Sequence, residues 1–468
     1  MALQAVTHDV QAESNNSTTR TLLPFQSQVQ MQAADDSNST QTLTGGHPVQ
    51  KNIQIKAHKG VETDSNHAPP TSNVQFLPEN HSDITKIVID PHFQLPHRGC
   101  VYPEDADFSD VRFFTKFSAE NLDPSLCTYI IIPSGSIQGL TLALTSPNDT
   151  DLFRLLRQHK ASFPLLKLIL SVGGENRTHE LSEMVAVHGI EVFAASIAAK
   201  LRGWGLDGID VYWNWEVSPF RSDEILLPVL LQAIRKEFDR ESLETGKERL
   251  ALSTTLQETS QTNSINGPPL GLVVDIVHAV SYDQGNTAFA TLHIAHHSPL
   301  FGGPLGIPSK ANLAQVLQDW HQAGIPKAKL VGGVPLYGRG WILGNSNDTF
   351  LGAFSADQDL PSVYTNTSGY WPYYELCQHI KQDNATVVFD QRIAASYAFT
   401  KTWWVGYNDE QTLRGKAAWV SRNGFGGLFV KDVSLDDFAG TCGPKYPLLN
   451  VIRDEQAKPN IAPPKIGV

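Results

Sequence analysis

The 468 residues contain no apolar run of the roughly 18 residues that a membrane-spanning helix needs. They contain no Lys/Arg run either. With 36 basic against 48 acidic residues and a formal net charge of −12, the chain is a poor partner for nucleic acid or anionic membrane. Cysteine is scarce: Cys100, Cys127, Cys377 and Cys442 form no CxxC pair, so neither zinc nor any other metal or cofactor is expected. The N-terminus, MALQAVTHDVQAESNN, lacks an apolar h-region, so no signal peptide is visible. Two features oppose that last absence. The cysteine count is even, and nine Asn-x-Ser/Thr sequons begin at Asn15, Asn16, Asn38, Asn80, Asn148, Asn176, Asn347, Asn366 and Asn384. Together they predict a secreted, extracellular glycoprotein.

Residues 1–83 are rich in Asn, Ser, Thr, Gln and His without periodicity, which predicts a disordered, sequon-rich arm. From Ile84 short apolar runs recur. The predicted strands are His97–Tyr102, Cys127–Pro133, Leu166–Val172, Leu206–Trp213, Leu250–Leu256, Asp275–Ser281, Lys329–Pro335 and Gly427–Lys431. Helical patterns lie between them, among them Ile190–Trp204, Asp223–Phe238, Ala311–Ala323 and Glu410–Arg422. Eight strands alternating with helices predict an α/β fold, the (β/α)8 barrel, over residues 84–342 and 410–455. Residues 343–409, aromatic and rich in Gly and Pro, are too many for a simple crossover and predict a small α+β insertion domain. Residues 456–468 form a tail.

Gly205-Leu-Asp-Gly-Ile-Asp-Val-Tyr-Trp-Asn-Trp-Glu216 stands out. After a Gly-Leu-Asp-Gly turn it alternates, which predicts Asp210, Tyr212, Asn214 and Glu216 on one face of a strand. In a (β/α)8 barrel the site lies at the carboxyl ends of the strands. Tyr212, Asn214 and Glu216, then Tyr282 and Asp283, then Tyr337 and Arg339, then Lys431 and Asp432 therefore converge on one mouth. Tyr282, Tyr337, Trp341, Trp403 and Trp404 fit either that mouth or the core of the insertion.

These stretches resemble family 18 of the glycoside hydrolases, the chitinase and chitinase-like group, from about Pro96 to Leu449. Leu168-Ile-Leu-Ser-Val-Gly-Gly174 resembles the family's strand-three motif, and Asp207-Gly-Ile-Asp-Val211 the start of its Asp-Gly-x-Asp-x-Asp-x-Glu motif. Ser281-Tyr-Asp283, His296-His-Ser-Pro-Leu-Phe301, Val334-Pro-Leu-Tyr-Gly-Arg339 and Leu435-Asp-Asp-Phe-Ala-Gly-Thr-Cys442 with Tyr446-Pro-Leu448 follow in the family's order. The resemblance implies disulfides Cys100–Cys127 and Cys377–Cys442, and ligand-binding roles for Tyr282, Asp283, Tyr337, Arg339 and Lys431. It implies chitin or chito-oligosaccharide as a ligand, a protein receptor as another kind of partner, and a monomer. Asn148, Asn176, Asn347, Asn366 and Asn384 are the glycosylation sites expected within the folded part.

The resemblance also implies a substrate-assisted hydrolysis, in which a Glu protonates the glycosidic oxygen and the preceding Asp orients the sugar's acetamide. Asp207 and Asp210 match the first two acids of the motif. Tyr212 replaces the third, and Asn214 replaces the Glu. An amide has no proton to release near neutral pH, so Asn214 is no general acid. Tyr212 is bulkier than Asp and uncharged. Glu216 shares the parity but lies roughly 6.5 Å further along the strand, beyond the reach of a general acid unless the strand bulges. Lys431 stands where the family has a Trp under the sugar, and Glu175 follows Val-Gly-Gly where it usually has another Trp. Lys431 is expected to pair with Asp210, Glu216 or Asp283 and fill the old subsite. The principal expectation is a non-hydrolytic secreted protein that binds a glycan or a protein, as the chitinase-like lectins and imaginal-disc growth factors do. Its alternatives are a divergent hydrolase using Glu216 and a growth-factor-like protein with a plugged cleft.

Overall fold

The computed structural model of the chain describes residues 96–104, 117–174, 176–214, 223–257, 267–283, 293–303, 312–357, 362–365 and 367–459. All of them belong to one compact unit, Asn80–Val468. The expected arm, most of the tail, Glu175, Glu216 and the sequons at Asn15, Asn16, Asn38, Asn80 and Asn366 lie outside the described residues.

Short runs of branched apolar residues, buried on both faces, make the barrel staves. These are β1 (His97–Val101), β2 (Tyr129–Gln138, with β3, Thr141–Leu144, folded back on it), β4 (Lys167–Gly173), β5 (Gly208–Tyr212), β6 (Ala251–Leu256), β7 (Ile276–Ala279) and β8 (Leu330–Pro335). After a second sheet, β9 (Tyr337–Leu343), β10 (Ser355–Asp357), β11 (Tyr370–Pro372), β12 (Thr386–Asp390), β13 (Ala395–Phe399) and β14 (Trp403–Tyr407), the chain returns as β15 (Gly427–Lys431). β15 lies parallel between β8 and β1, and β1 also pairs with β2, so the eight parallel strands close on themselves.

Alternation divides the core in two. Tyr129, Ile131, Ile169, Ala251, Ile276, Val331 and Phe429 pack inside the barrel. Their neighbours Ile130, Ile132, Leu168, Leu170, Leu252, Leu330 and Leu428 face the helices.

The helices Ile190–Trp204 and Glu410–Arg422 coincide with the sequence pattern. The helix from Asp223 runs on to Thr245, past the last apolar residue of its periodic face. Charge holds the extra turns: Glu241 receives two bonds from the Arg202 guanidinium, at 2.9 and 2.7 Å. Gly205 ends the Ile190–Trp204 helix at φ 71°, where a side chain would be strained and would meet Arg157. That turn delivers the chain into β5.

The second sheet is antiparallel, in the order β10-β9-β14-β13-β12, with β11 pairing β9 on the edge away from β14, alongside β10. It takes in β9 from Tyr337, ahead of the boundary at 343 expected from composition. Trp341 and Trp404 pack together in its core, and Trp403 joins a second cluster with Trp371. These three tryptophans are 4%, 0% and 6% exposed in the order Trp341, Trp404, Trp403, so they serve the insertion and not the mouth.

Both disulfides form. Cys100–Cys127 ties β1 to the entry of β2, and Cys377–Cys442 ties the helix Tyr373–Gln382 to the C-terminal segment. They span 27 and 65 residues. Because closing a longer loop restricts the unfolded chain more, Cys377→Ser with Cys442→Ser should cost about 2–4 kcal/mol, roughly 1 kcal/mol more than the Cys100/Cys127 pair. Urea denaturation of the two double variants measures this, and equal or reversed losses would contradict it.

Candidate functional site

Asp210 lies at the floor of a cleft at the carboxyl end of the barrel. It is 0% exposed, and ionised carboxylates survive such burial only with their oxygens satisfied. Oδ2 accepts from Ser171 Oγ at 2.9 Å and Thr255 Oγ1 at 3.0 Å, and Oδ1 accepts from Ser253 Oγ at 2.8 Å and His278 Nδ1 at 3.1 Å. Burial opposes ionisation, but the His278, Ser253 and Ser171 bonds together outweigh it and hold the carboxyl below its ordinary range. Since the carboxylate only accepts, Nδ1 of His278 carries the hydrogen. Its Nε2 is hydrogen-bonded to the Tyr129 hydroxyl at 2.9 Å. Burial, then the nearby Asp210 charge, pushes that hydroxyl's pKa well up.

Asp207, the first acid of the motif, lies at the opposite, amino end of β5. It pairs with Lys160 and accepts from the Leu168 amide at 2.8 Å. Its work is to anchor strand and helix.

Tyr212 follows Asp210 on the inner face and lines the cleft. Its hydroxyl accepts from the Gln257 amide. The alternation expected to continue to Asn214 stops there. β5 ends at Tyr212, because the Asn214 backbone amide donates to Thr178 Oγ1, on the helix Thr178–Ala186 that follows β4, at 2.9 Å, and not to a neighbouring strand. Trp213 turns its indole N–H to Ser182 at 3.2 Å. Asn214 is absent from the cleft lining, and its Oδ1 is buried without a partner.

The rim holds a second committed acid. Asp283, at φ 57°, accepts from His297 Nδ1 at 2.9 Å, Tyr337 Oη at 2.5 Å, and Arg339 through Nε at 3.0 Å and Nη2 at 2.5 Å. Burial raises its pKa, but His297 and Arg339 together outweigh this and leave it below the ordinary carboxylate range. Arg339 also lies over the rings of Tyr337 and Tyr370, 5.4 and 5.0 Å from their centroids. The second sheet thus supplies Tyr337, Arg339 and Tyr370 to a carboxylate on the barrel.

Lys431 lines the cleft at the end of β15, above the inward ring of Phe429. The expected ion pairs with Asp210 and Asp283 are absent. Asp210 has its four bonds within the barrel, and Asp283 is held by Arg339, His297 and Tyr337. Among the described residues Lys431 forms no ion pair. About 610 Å³ of the cleft lies outside atoms, part of it open solvent. Val101, Glu104, Gly173, Gly174 and Tyr282 complete most of its wall. Glu104 is paired with Arg177 at 3.0 Å.

Sequence reading missed Ser171, Ser253, Thr255 and His278, the residues that hold Asp210, as well as His297 and Tyr370. Ser253, Thr255 and His278 were visible as polar interruptions in otherwise apolar strands, and period two would have turned Ser253 and Thr255 inward.

A closed (β/α)8 barrel with an acid at its cleft floor and an α+β insertion after the seventh stave defines a class of carbohydrate-active scaffold. The chain belongs to the glycosyl hydrolases family 18, whose sequence model matches residues 108–436. Chitotriosidase-1 of Mus musculus is 32% identical over 367 residues, covering 75% of this chain and 76% of the relative. Chitinase-3-like protein 2 of Homo sapiens is 29% identical over 349 residues, 72% of this chain and 87% of the relative. The solved structure of human YKL-39, described as a pseudo-chitinase with retained chitooligosaccharide binding properties, is 26% identical with a TM-score of 0.70, covering 77% of this chain and 100% of that one.

The Asp283 cluster has a pH signature. A depressed carboxyl stabilises the fold fully above its unfolded value, about 3.9, and the contribution is lost as pH falls through the lower folded value. Asp283→Asn should therefore cost roughly 1–3 kcal/mol at pH 7, with the gap from wild type narrowing below about pH 4. Urea titrations at pH 7 and in acid test this; a gap of constant size would refute the ionic role.

Proposed function

We propose that this protein is a non-hydrolytic, secreted member of the family that binds an N-acetylglucosamine-type glycan in its barrel cleft. The observation that carries the reading is the state of strand β5. At the family's working positions stand Tyr212, hydrogen-bonded to Gln257, and Asn214, an amide with no proton to release near neutral pH. Asp210 is enclosed by four donors and is 0% exposed, beyond the reach of a sugar's acetamide. Tyr212, Tyr282 and Lys431 nevertheless line one cleft, which supports retained binding. The binding properties of human YKL-39 support a glycan as ligand. Two disulfides, together with exposed asparagines at the sequons Asn148, Asn176, Asn347 and Asn384, support export.

The purified chain should release no fluorophore from a fluorogenic chitotrioside, while chitotetraose raises its melting temperature, as a ligand of the native state must. Turnover that disappears in Glu216→Gln would instead establish the hydrolase reading. No shift with any chito-oligosaccharide would leave a protein partner as the function. For export, the protein expressed in a eukaryotic secretory host should lose apparent mass on enzymatic removal of N-glycans; an unchanged mass would count against used sequons.

A further inference from the structure

The charges lining the cleft are unevenly committed. A carboxylate offers about four acceptor positions, and those of Asp210 are filled by Ser171, Thr255, Ser253 and His278. Glu104 is neutralised by Arg177. Asp432, next to Lys431 in sequence, turns away: its Oδ1 accepts from the amide and hydroxyl of Ser434, at 2.9 and 2.5 Å. Lys431 alternates with Phe429 onto the inner face of β15 and lines the cleft partly buried, with no hydrogen bond or ion pair among the described residues. Its ammonium has three donors, none of which meets an acceptor among the described residues.

A neutral sugar hydroxyl can accept from this ammonium, but an anionic group forms a charge-assisted bond, roughly twice as strong. The surroundings suit a ring that carries such a group. Phe429 and Tyr282, with ring centroids 6.4 Å apart, line the same cleft, as does Tyr212, whose hydroxyl is held by Gln257.

We propose that the cleft selects an anionic saccharide, an N-acetylglucosamine-containing oligosaccharide whose carboxylate or sulfate seats on Lys431. This rests on the glycan-binding reading above and narrows its ligand. The net charge of −12 opposes the long-range approach of an anion. Selectivity therefore arises at contact, and loss of Lys431 should remove it.

The test uses the full chain and three tetrasaccharides of similar length in isothermal titration. These are chitotetraose, a tetramer alternating N-acetylglucosamine with glucuronic acid, and a 6-O-sulfated chitotetraose. At least one anionic probe should bind about tenfold tighter than the neutral one, and which one does so identifies carboxylate or sulfate. Lys431→Gln should bring that probe down to the neutral level with chitotetraose within about threefold of wild type, and Lys431→Arg should keep the preference. The arginine variant shows that any loss in the glutamine variant is one of charge and not of fold. Neutral binding as tight as both anionic probes, or a preference that survives Lys431→Gln, overturns this proposal alone. Binding of none of the three overturns it together with the glycan-binding reading.

Discussion

A carboxylate fully removed from water at the centre of a barrel governs this molecule. Asp210 can stay ionised there only if several donors converge on it. They come from three other staves: Ser171 on β4, Ser253 and Thr255 on β6, and His278 on β7. Closure of the barrel brings these strands together, and the acid in turn rewards that closure. A strand slipped by one residue would send Asp210 among the helix-facing leucines and leave four inward polar groups without their acceptor. The same satisfaction that makes Asp210 tolerable also makes it unreactive toward a ligand.

The rim repeats the arrangement with different parts. Asp283 is surrounded by Arg339, Tyr337 and His297, and Arg339 is clamped by the rings of Tyr337 and Tyr370. This cluster joins barrel and second sheet next to Tyr282, a residue of the cleft lining. With both acids engaged, Lys431 keeps its hydrogen-bonding capacity for a ligand. The family's scaffold is kept, while Tyr212 and Asn214 stand at positions where the motif has acids.

Much of this was legible beforehand. The eight staves and the helices at Ile190 and Glu410 follow from apolar periodicity, which depends on local geometry alone. The helix from Asp223 was underestimated because its last turns are held by Arg202 across to Glu241, a contact between helices that no local pattern encodes. Composition placed the start of the insertion at 343, whereas its sheet begins at Tyr337: β9 follows β8 almost without a break, so nothing in the chain marks the passage from one sheet to the other. Trp341, Trp403 and Trp404 fitted two locations equally well, since an aromatic side chain suits a sugar-binding face and a sheet core alike.

The sequence by itself determined the kind of fold, the motif's departures at Tyr212 and Asn214 and, through the family it resembles, the pairing of the cysteines. These depend on residue type, order and spacing, which are properties of the chain. Tertiary structure alone decided which charges meet. Lys431 had three candidate partners, Asp210, Glu216 and Asp283, of which Glu216 lies outside the described residues. Asp210 and Asp283 were claimed by other partners, and among the described residues the lysine lines the cleft without an ion pair. Charge pairing falls off steeply with distance and depends on competing hydrogen bonds, so it is settled only when every strand and loop is in place.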